Sequence, residues 1–205
     1  MAPVDPREIV GLVEPEEGEW LAKTAGEVPG DLAIVECGSH RGLSACWLGT
    51  GSRAGAGALV TCVDTWPAFD AEHPYPLAPG VGWQEEGALE QFRANISAVG
   101  VDDLVTPVRS TAVEVAANWD GPPVGLFFHD ADHAVTACAR DYLAWLPHLA
   151  QGAWIAVHDY YGSVCVGGEW KRDGSEQTAV RDAILPSGEF TGVEIIGNLW
   201  VGRRS

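Results

Sequence analysis

Five short runs rich in apolar and β-branched residues recur along the chain: DLAIVE (31–36), ALVTCVD (58–64), LVTPVRS (104–110), VGLFFHD (124–130) and AWIAVHD (153–159). Helix-periodic segments fall between them, at 41–49, 83–100, 111–119 and 133–149, with a leading one at 14–28 and a late one at 175–185. A chain that alternates strand and helix predicts an α/β fold with a parallel sheet, because each helix returns the chain across the sheet and covers one of its faces. Local chemistry agrees with these boundaries. Gly100 suits the position just past a helix end, Thr111 with Glu114 forms a capping box, and Pro107 suits an edge strand. FTGVEII (190–196) and LWVGRR (199–204) flank Gly197–Asn198, a hairpin turn that makes the last strand antiparallel. The 205 residues are enough for one domain, 1–205, that opens with a helical segment over 1–30.

Ligands in open α/β sheets sit at the carboxyl ends of the strands. Here those ends are Glu36, Asp64, Ser110, Asp130 and the pair His158–Asp159. One polar strand end is ordinary, but five in succession, flanked by Gly, Ser and aromatic residues, point to one continuous site. The formal net charge of −17 argues against a nucleic-acid partner and against anionic membrane surfaces. The five cysteines, Cys37, Cys46, Cys62, Cys138 and Cys165, are odd in number and lack a C-x-x-C pair, which predicts reduced thiols and a cytoplasmic protein. The opening MAPVDPREIV, with no basic n-region or apolar h-region, leads to the same expectation.

The loop after strand one reads E-C-G-S-H-R-G-L-S, 36–44. Gly38 and Gly42 let the backbone turn and let a ligand approach, and the next helix directs its free N–H groups there. Asp64 can accept the two hydroxyls of a ribose. Glu36 would repel a pyrophosphate, which disfavours NAD, whereas S-adenosylmethionine carries a sulfonium, an ammonium, a ribose and no phosphate. An NAD-dependent oxidoreductase is the less favoured alternative.

Three stretches, IVECGSHRGLSACWLG (34–49), VTCVDTWPAFDAEH (60–73) and DADHAVTACARDYLAWLPHLAQGAWIAVHDYY (130–161), together resemble the class I S-adenosylmethionine-dependent methyltransferases. The closest group is a small bacterial one reading V-D-T-W after strand two and D-G-D-H…H-D-Y around strands four and five. The resemblance spans nearly the whole chain. It implies a Rossmann-like seven-stranded sheet, last strand antiparallel, with helices on both faces. It also implies that Glu36, Gly38, Ser39, Gly42 and Ser44 line the methionine and ribose side of the cofactor. Asp64 would hold the ribose, Trp66 would lie against the adenosine, Ser110 would approach the adenine, and Asp130 would stand where cofactor and acceptor meet.

Methyl transfer to oxygen needs two aligned reactants and a deprotonated or polarised hydroxyl. Asp130 and Asp159 end neighbouring strands, which run about 4.8 Å apart, close enough to share a hard cation such as Mg²⁺. His133, just beyond strand four, is placed to act as general base. The pattern is similar to metal-dependent sugar O-methyltransferases, except that His158 stands where those enzymes carry Glu. As a third ligand His158 would favour Mn²⁺, Fe²⁺ or Zn²⁺; the alternatives are that it only hydrogen-bonds within the strand-five turn, or that no metal binds. Asp132 reads either as a helix cap or as the missing acid, His129 as a core histidine and Asp141 as structural. Segments 67–83 and 160–174, with Tyr160, Tyr161 and Trp170, are expected as lid and substrate loop. The acceptor is expected to be a small molecule, and a homodimer is one option for the assembly. A cofactor-binding protein without methyl-transfer activity is the alternative from another class, motivated by His158.

Overall fold

The computed structural model describes residues 3–66, 87–161, 164–166, 169–171, 178–187 and 190–205. The expected lid over 67–83 lies outside the described residues, as do 162–163, 167–168 and 172–174 of the 160–174 loop. The leading helix α1 (Pro15–Glu27) has proline at its first turn, where the missing N–H costs nothing. Then come β1 (Ala33–Cys37), α2 (Leu43–Ala54), β2 (Val60–Asp64), α3 (Ala88–Val99), β3 (Val105–Arg109) and α4 (Ala112–Ala117). β4 (Val124–His129), α5 (Val135–Trp145) and β5 (Leu149–Val157) follow. A two-stranded hairpin, β6 (Val164–Val166) and β7 (Glu169–Lys171), falls inside the region read as irregular. The chain closes with a π-helical turn at Val180–Ile184, then β8 (Phe190–Ile196) and β9 (Leu199–Arg204).

The main sheet has seven strands in the order β3-β2-β1-β4-β5-β9-β8. All pairings from β3 to β5 are parallel, and β9 runs antiparallel to both β5 and β8. Pro107 lies on the edge strand β3, where the absent N–H breaks no inner ladder. The Thr111–Glu114 capping box forms at the start of α4, and Gly100 takes a left-handed conformation after α3.

Strand alternation divides the core into two layers. Ile34, Val60, Cys62, Leu126, Phe128 and Ala156 face α1, α2 and α3. Val35, Val63, Phe127, Ile155 and Val157 face α5 and the 180–184 turn. The same alternation aims the polar strand ends. His129 shares the Phe127 face and meets Asp141 of α5, with Nε2 3.4 Å from Oδ2. Burial alone would pull the His129 pKa down, but Asp141 and Cys138 beside it raise it to about 10. His129 and Asp141 are thus a buried pair of the core, as their positions suggest.

Chain reversal between β1 and β4 opens a crevice at the carboxyl ends of those strands. The two ends touch closely. Gly38 has φ 90, and a Cβ there would lie 1.9 Å from the Asp130 carbonyl oxygen. Gly38→Ala is therefore expected to lower the free energy of unfolding in urea by about 3 kcal/mol or more. Gly57 is also left-handed, at φ 73, but a Cβ added there meets nothing within 4 Å, so Gly57→Ala should cost only the backbone strain. That strain is about 1–2 kcal/mol.

Candidate active site

The β1–α2 loop is organised by carboxylates rather than by its glycines alone. Asp64 Oδ2 accepts the backbone N–H groups of Ser39 (2.9 Å) and His40 (2.8 Å), and its Oδ1 accepts that of Trp66 (2.8 Å). Trp66 donates its indole N–H to the His40 carbonyl (2.7 Å) and packs edge-on against Phe92 at 5.2 Å. Trp66 is therefore buried as a brace between the β2 end and the loop. Ser110 donates its hydroxyl to Glu114 (2.9 Å) and its backbone N–H to the Asp64 carbonyl (3.1 Å), which ties the β3 end to the same corner.

Glu36 is fully buried on the face of the sheet that meets α2. Its Oε2 accepts the Ser39 hydroxyl at 2.6 Å, while Oε1 is buried without a hydrogen-bond partner among the described residues. Burial pushes the Glu36 carboxyl up to about 7 despite the opposing Ser39 hydrogen bond. A buried carboxylate with one oxygen unsatisfied calls for a donor or a cation. The ammonium-bearing, phosphate-free cofactor read from the sequence fits that requirement. Ser39 and Ser44 are buried beside Glu36, and Gly42 starts α2 in a left-handed conformation, with φ 83.

At the ends of β4 and β5 the arrangement differs from the expectation. Asp130, His133 and Asp159 each offer one ligand atom, and these atoms lie within 4.8 Å of one another. His133 Nε2 is 3.7 Å from Asp159 Oδ2. Two carboxylates and an imidazole, all half-buried, make a donor set suited to Mn²⁺, Fe²⁺ or Zn²⁺ more than to Mg²⁺. His158, expected among the ligands, stands behind this group, with Nδ1 3.8 Å from Asp159 Oδ2. It shares the Ala156 face and turns under the sheet towards α1. There its Nε2 is 3.0 Å from Glu17 Oε2 and its Nδ1 is 3.2 Å from Asp130 Oδ1. Carboxylates only accept, so both ring nitrogens donate in this arrangement. Burial opposes that charge, yet the Asp130 and Glu17 carboxylates hold the His158 pKa well above its ordinary value. In return, and against the effect of burial, the imidazolium holds both Asp130 and Glu17 below the usual carboxylate range.

Sequence reasoning misses two residues of this site. Glu17, buried at 1% exposure, sits in an acidic first turn, P-E-E-G-E, where its spacing to Leu21, Thr24 and Ala25 on one helix face is the signal that could have found it. Asn198 reads in the sequence only as a turn residue. Its side chain donates to Asp159 Oδ1 and its backbone N–H to Glu17 Oε1, both at 2.7 Å. Asp159 itself is left-handed, at φ 51. Asp132 accepts the Ala134 amide (2.9 Å) ahead of α5, the capping alternative rather than the third acid. Tyr160 and Tyr161 stack edge-on at 5.2 Å just past this corner; the Trp170 side chain lies outside the described set.

Comparisons with known proteins place this crevice in context. No curated protein matches the sequence. Cofactor-bound Rv0187 from MTB is similar in structure, with 21% identity over 94% of this chain and 81% of that one and a TM-score of 0.66. The O-methyltransferase NovP is 16% identical over 93% and 80%, with a TM-score of 0.67. TomG from Streptomyces achromogenes, an O-methyltransferase of tomaymycin synthesis solved with SAM, is 17% identical over 95% and 82%, with a TM-score of 0.63. At such identities the likeness is one of fold. The sequence itself carries the assignment: residues 35–160, from inside β1 to just past β5, match the family model described as a methyltransferase domain, and the chain belongs to that family.

Proposed function

We propose that the protein transfers a methyl group from S-adenosylmethionine to a hydroxyl oxygen of a small molecule, with a divalent ion held beside the acceptor. The observation that carries this reading is the convergence of Asp130, His133 and Asp159 at the β4 and β5 ends, next to the loop that encloses Glu36. That O-methyltransferases such as NovP and TomG share the fold supports the choice of oxygen. The net charge of −17 speaks against nucleic acid as acceptor. Among the described residues no helix is long and apolar enough to cross a membrane. The free thiols of Cys37, Cys46, Cys62 and Cys138 suit a reducing compartment such as the cytoplasm.

When bound, S-adenosylmethionine supplies an electrophilic methyl on a sulfonium. A divalent ion, when bound, lowers the pKa of a hydroxyl it touches. Glu36, with its unsatisfied oxygen, complements the positive end of the cofactor. Asp64 has acceptor capacity left on Oδ1 for one ribose hydroxyl beside the three amides it already holds. Gly38, Ser39, Gly42 and Ser44 shape the loop around the methionine portion, while Trp66 and Ser110 form the outer wall on the adenosine side. Asp130 and Asp159 hold the ion. His133, partly exposed, takes the acceptor proton at a ring nitrogen. Alignment of the reactants supplies much of the remaining acceleration.

The two roles open to His133 separate cleanly. His133→Ala should lower kcat by about 10²–10⁴-fold on an acceptor found in a panel of phenols and sugars. Calorimetric Mn²⁺ affinity that survives the change marks His133 as base, and lost affinity marks it as ligand. Full turnover by the variant would falsify both roles. Stripping the protein with a chelator should cut methyl transfer at least about tenfold, with Mn²⁺ restoring it; activity indifferent to both treatments removes the ion. Glu36 gives a pH signature. Its folded-state pKa, about 7, lies above the ordinary 4.5, so between these values the folded chain holds a proton that the unfolded chain has lost. Stability therefore falls as pH rises from 4.5 through 7 and then levels. Urea titrations should show this decline in the wild-type protein relative to Glu36→Gln, and S-adenosylmethionine affinity should strengthen over the same range only when Glu36 is present.

A further inference from the structure

Glu17 lies outside the residues matched to the methyltransferase family, on α1, yet it is among the most buried polar groups of the molecule. Each of its oxygens is used. Oε2 accepts the Glu14 amide (2.9 Å) and faces His158 Nε2 (3.0 Å). Oε1 accepts the Asn198 amide (2.7 Å). Both routes lead on to the reacting corner. His158 passes the contact to Asp130 through Nδ1 (3.2 Å), and Asn198 passes it to Asp159 through its side-chain amide (2.7 Å). The two carboxylates read as ion ligands are thus reached through two intermediates that share one anchor, His158 Nδ1 also lying 3.8 Å from Asp159 Oδ2.

We propose that Glu17 is a positioning residue that sets the separation and orientation of Asp130 and Asp159 through His158 and Asn198. The inference rests on the reading of those two aspartates as ligands of a divalent ion. Its physical basis is that a carboxylate ligand must be fixed in angle as well as in place. A hydrogen bond to one oxygen fixes that angle and leaves the other oxygen for the ion. Changes in such outer partners typically lower metal affinity about 10–100-fold. Glu17 touches neither the ion position nor the acceptor, so it acts only through its two intermediates. The arrangement makes the leading helix part of the site: the donor geometry depends on how α1 packs on α2 and the sheet. That packing is close enough that a Cβ at Gly51 would lie 1.9 Å from the Ala22 carbonyl oxygen.

The test is calorimetric titration of the full-length protein with Mn²⁺, alongside S-adenosylhomocysteine, for wild type, Glu17→Gln and Asn198→Ala. Gln keeps the shape of Glu17 but offers one acceptor oxygen where two are needed. Glu17→Gln is expected to weaken Mn²⁺ about 10–100-fold, with S-adenosylhomocysteine affinity within about twofold and Glu17→Asp recovering part of the loss. Asn198→Ala spares the backbone N–H to Glu17 and cuts only the Asp159 branch, so it should weaken Mn²⁺ by a smaller factor. If Glu17→Gln fails to fold, Glu17→Asp decides the matter: it keeps the charge but draws both oxygens back from His158 and Asn198, and an unchanged Mn²⁺ affinity would overturn the proposal. A purely structural role would lower the melting temperature without moving the Mn²⁺ affinity of folded variants, and that result overturns the proposal while leaving the ion site intact. A wild-type protein that binds S-adenosylhomocysteine but no Mn²⁺ overturns the ion site and the proposal together.

Discussion

The parallel pairing of β1 with β4 is the contact on which the rest of the molecule depends. From that seam the chain lays β2 and β3 to one side and β5, β9 and β8 to the other. The helices leave the seam in opposite directions, so the strand ends there face a crevice instead of a covering helix. Closing the seam requires the backbone after β1 to run against the end of β4, where the Asp130 amide donates to the Cys37 carbonyl at 2.8 Å. Only glycine at position 38 permits that approach. Asp64 then captures the turning backbone, and the cofactor side of the site follows from these two local facts.

On the other side of the seam, the organising force is compensation of buried charge. Two carboxylates and an imidazolium in a protein interior are costly unless each has its partners. Here Glu17, His158 and Asp130 satisfy one another, and the hairpin turn at Asn198 supplies the remaining donors. Breaking such a buried pair typically costs about 3–5 kcal/mol because one charge is left alone. The same chain of contacts that lets these groups stay buried also fixes the aspartates at the mouth of the crevice. Stability and site geometry are therefore coupled at this corner. The residue that departs from the metal-dependent pattern, His158, belongs to the support of the site and leaves ligation to its neighbours.

Where the elements expected from the sequence differ from those in the structure, local causes account for the difference. The helix expected over 133–149 begins at Val135, because Asp132 accepts the Ala134 amide and holds the chain extended before the first turn. It ends at Trp145, ahead of Pro147, which falls in a 3-10 turn. Strand five begins at Leu149, four residues before the expected 153, because it continues along β4 past a register shift. The short hairpin β6–β7 has a turn signal in Gly167-Gly168, but its strands of three residues are too short for alternation to mark them. Capping at Thr111, the left-handed Gly100, the edge position of Pro107 and the final hairpin are all legible, since each depends on a few neighbouring residues.

The sequence by itself determined the order of strands and helices, the parallel sheet, and the polar residues presented at the strand ends. These follow from periodicity and from turn chemistry, which act within a few residues. Only the tertiary structure decided which of those residues meet. Glu17 and His158 are separated by 141 positions; helical spacing sets Glu17 on the face of Leu21, Thr24 and Ala25, but no local pattern names its partner. Their contact exists because strand alternation turns His158 under the sheet and close α1–α2 packing brings the first turn of α1 beneath it. Helix periodicity can put an acid on an inward face, but which groups it meets there belongs to the packed molecule alone.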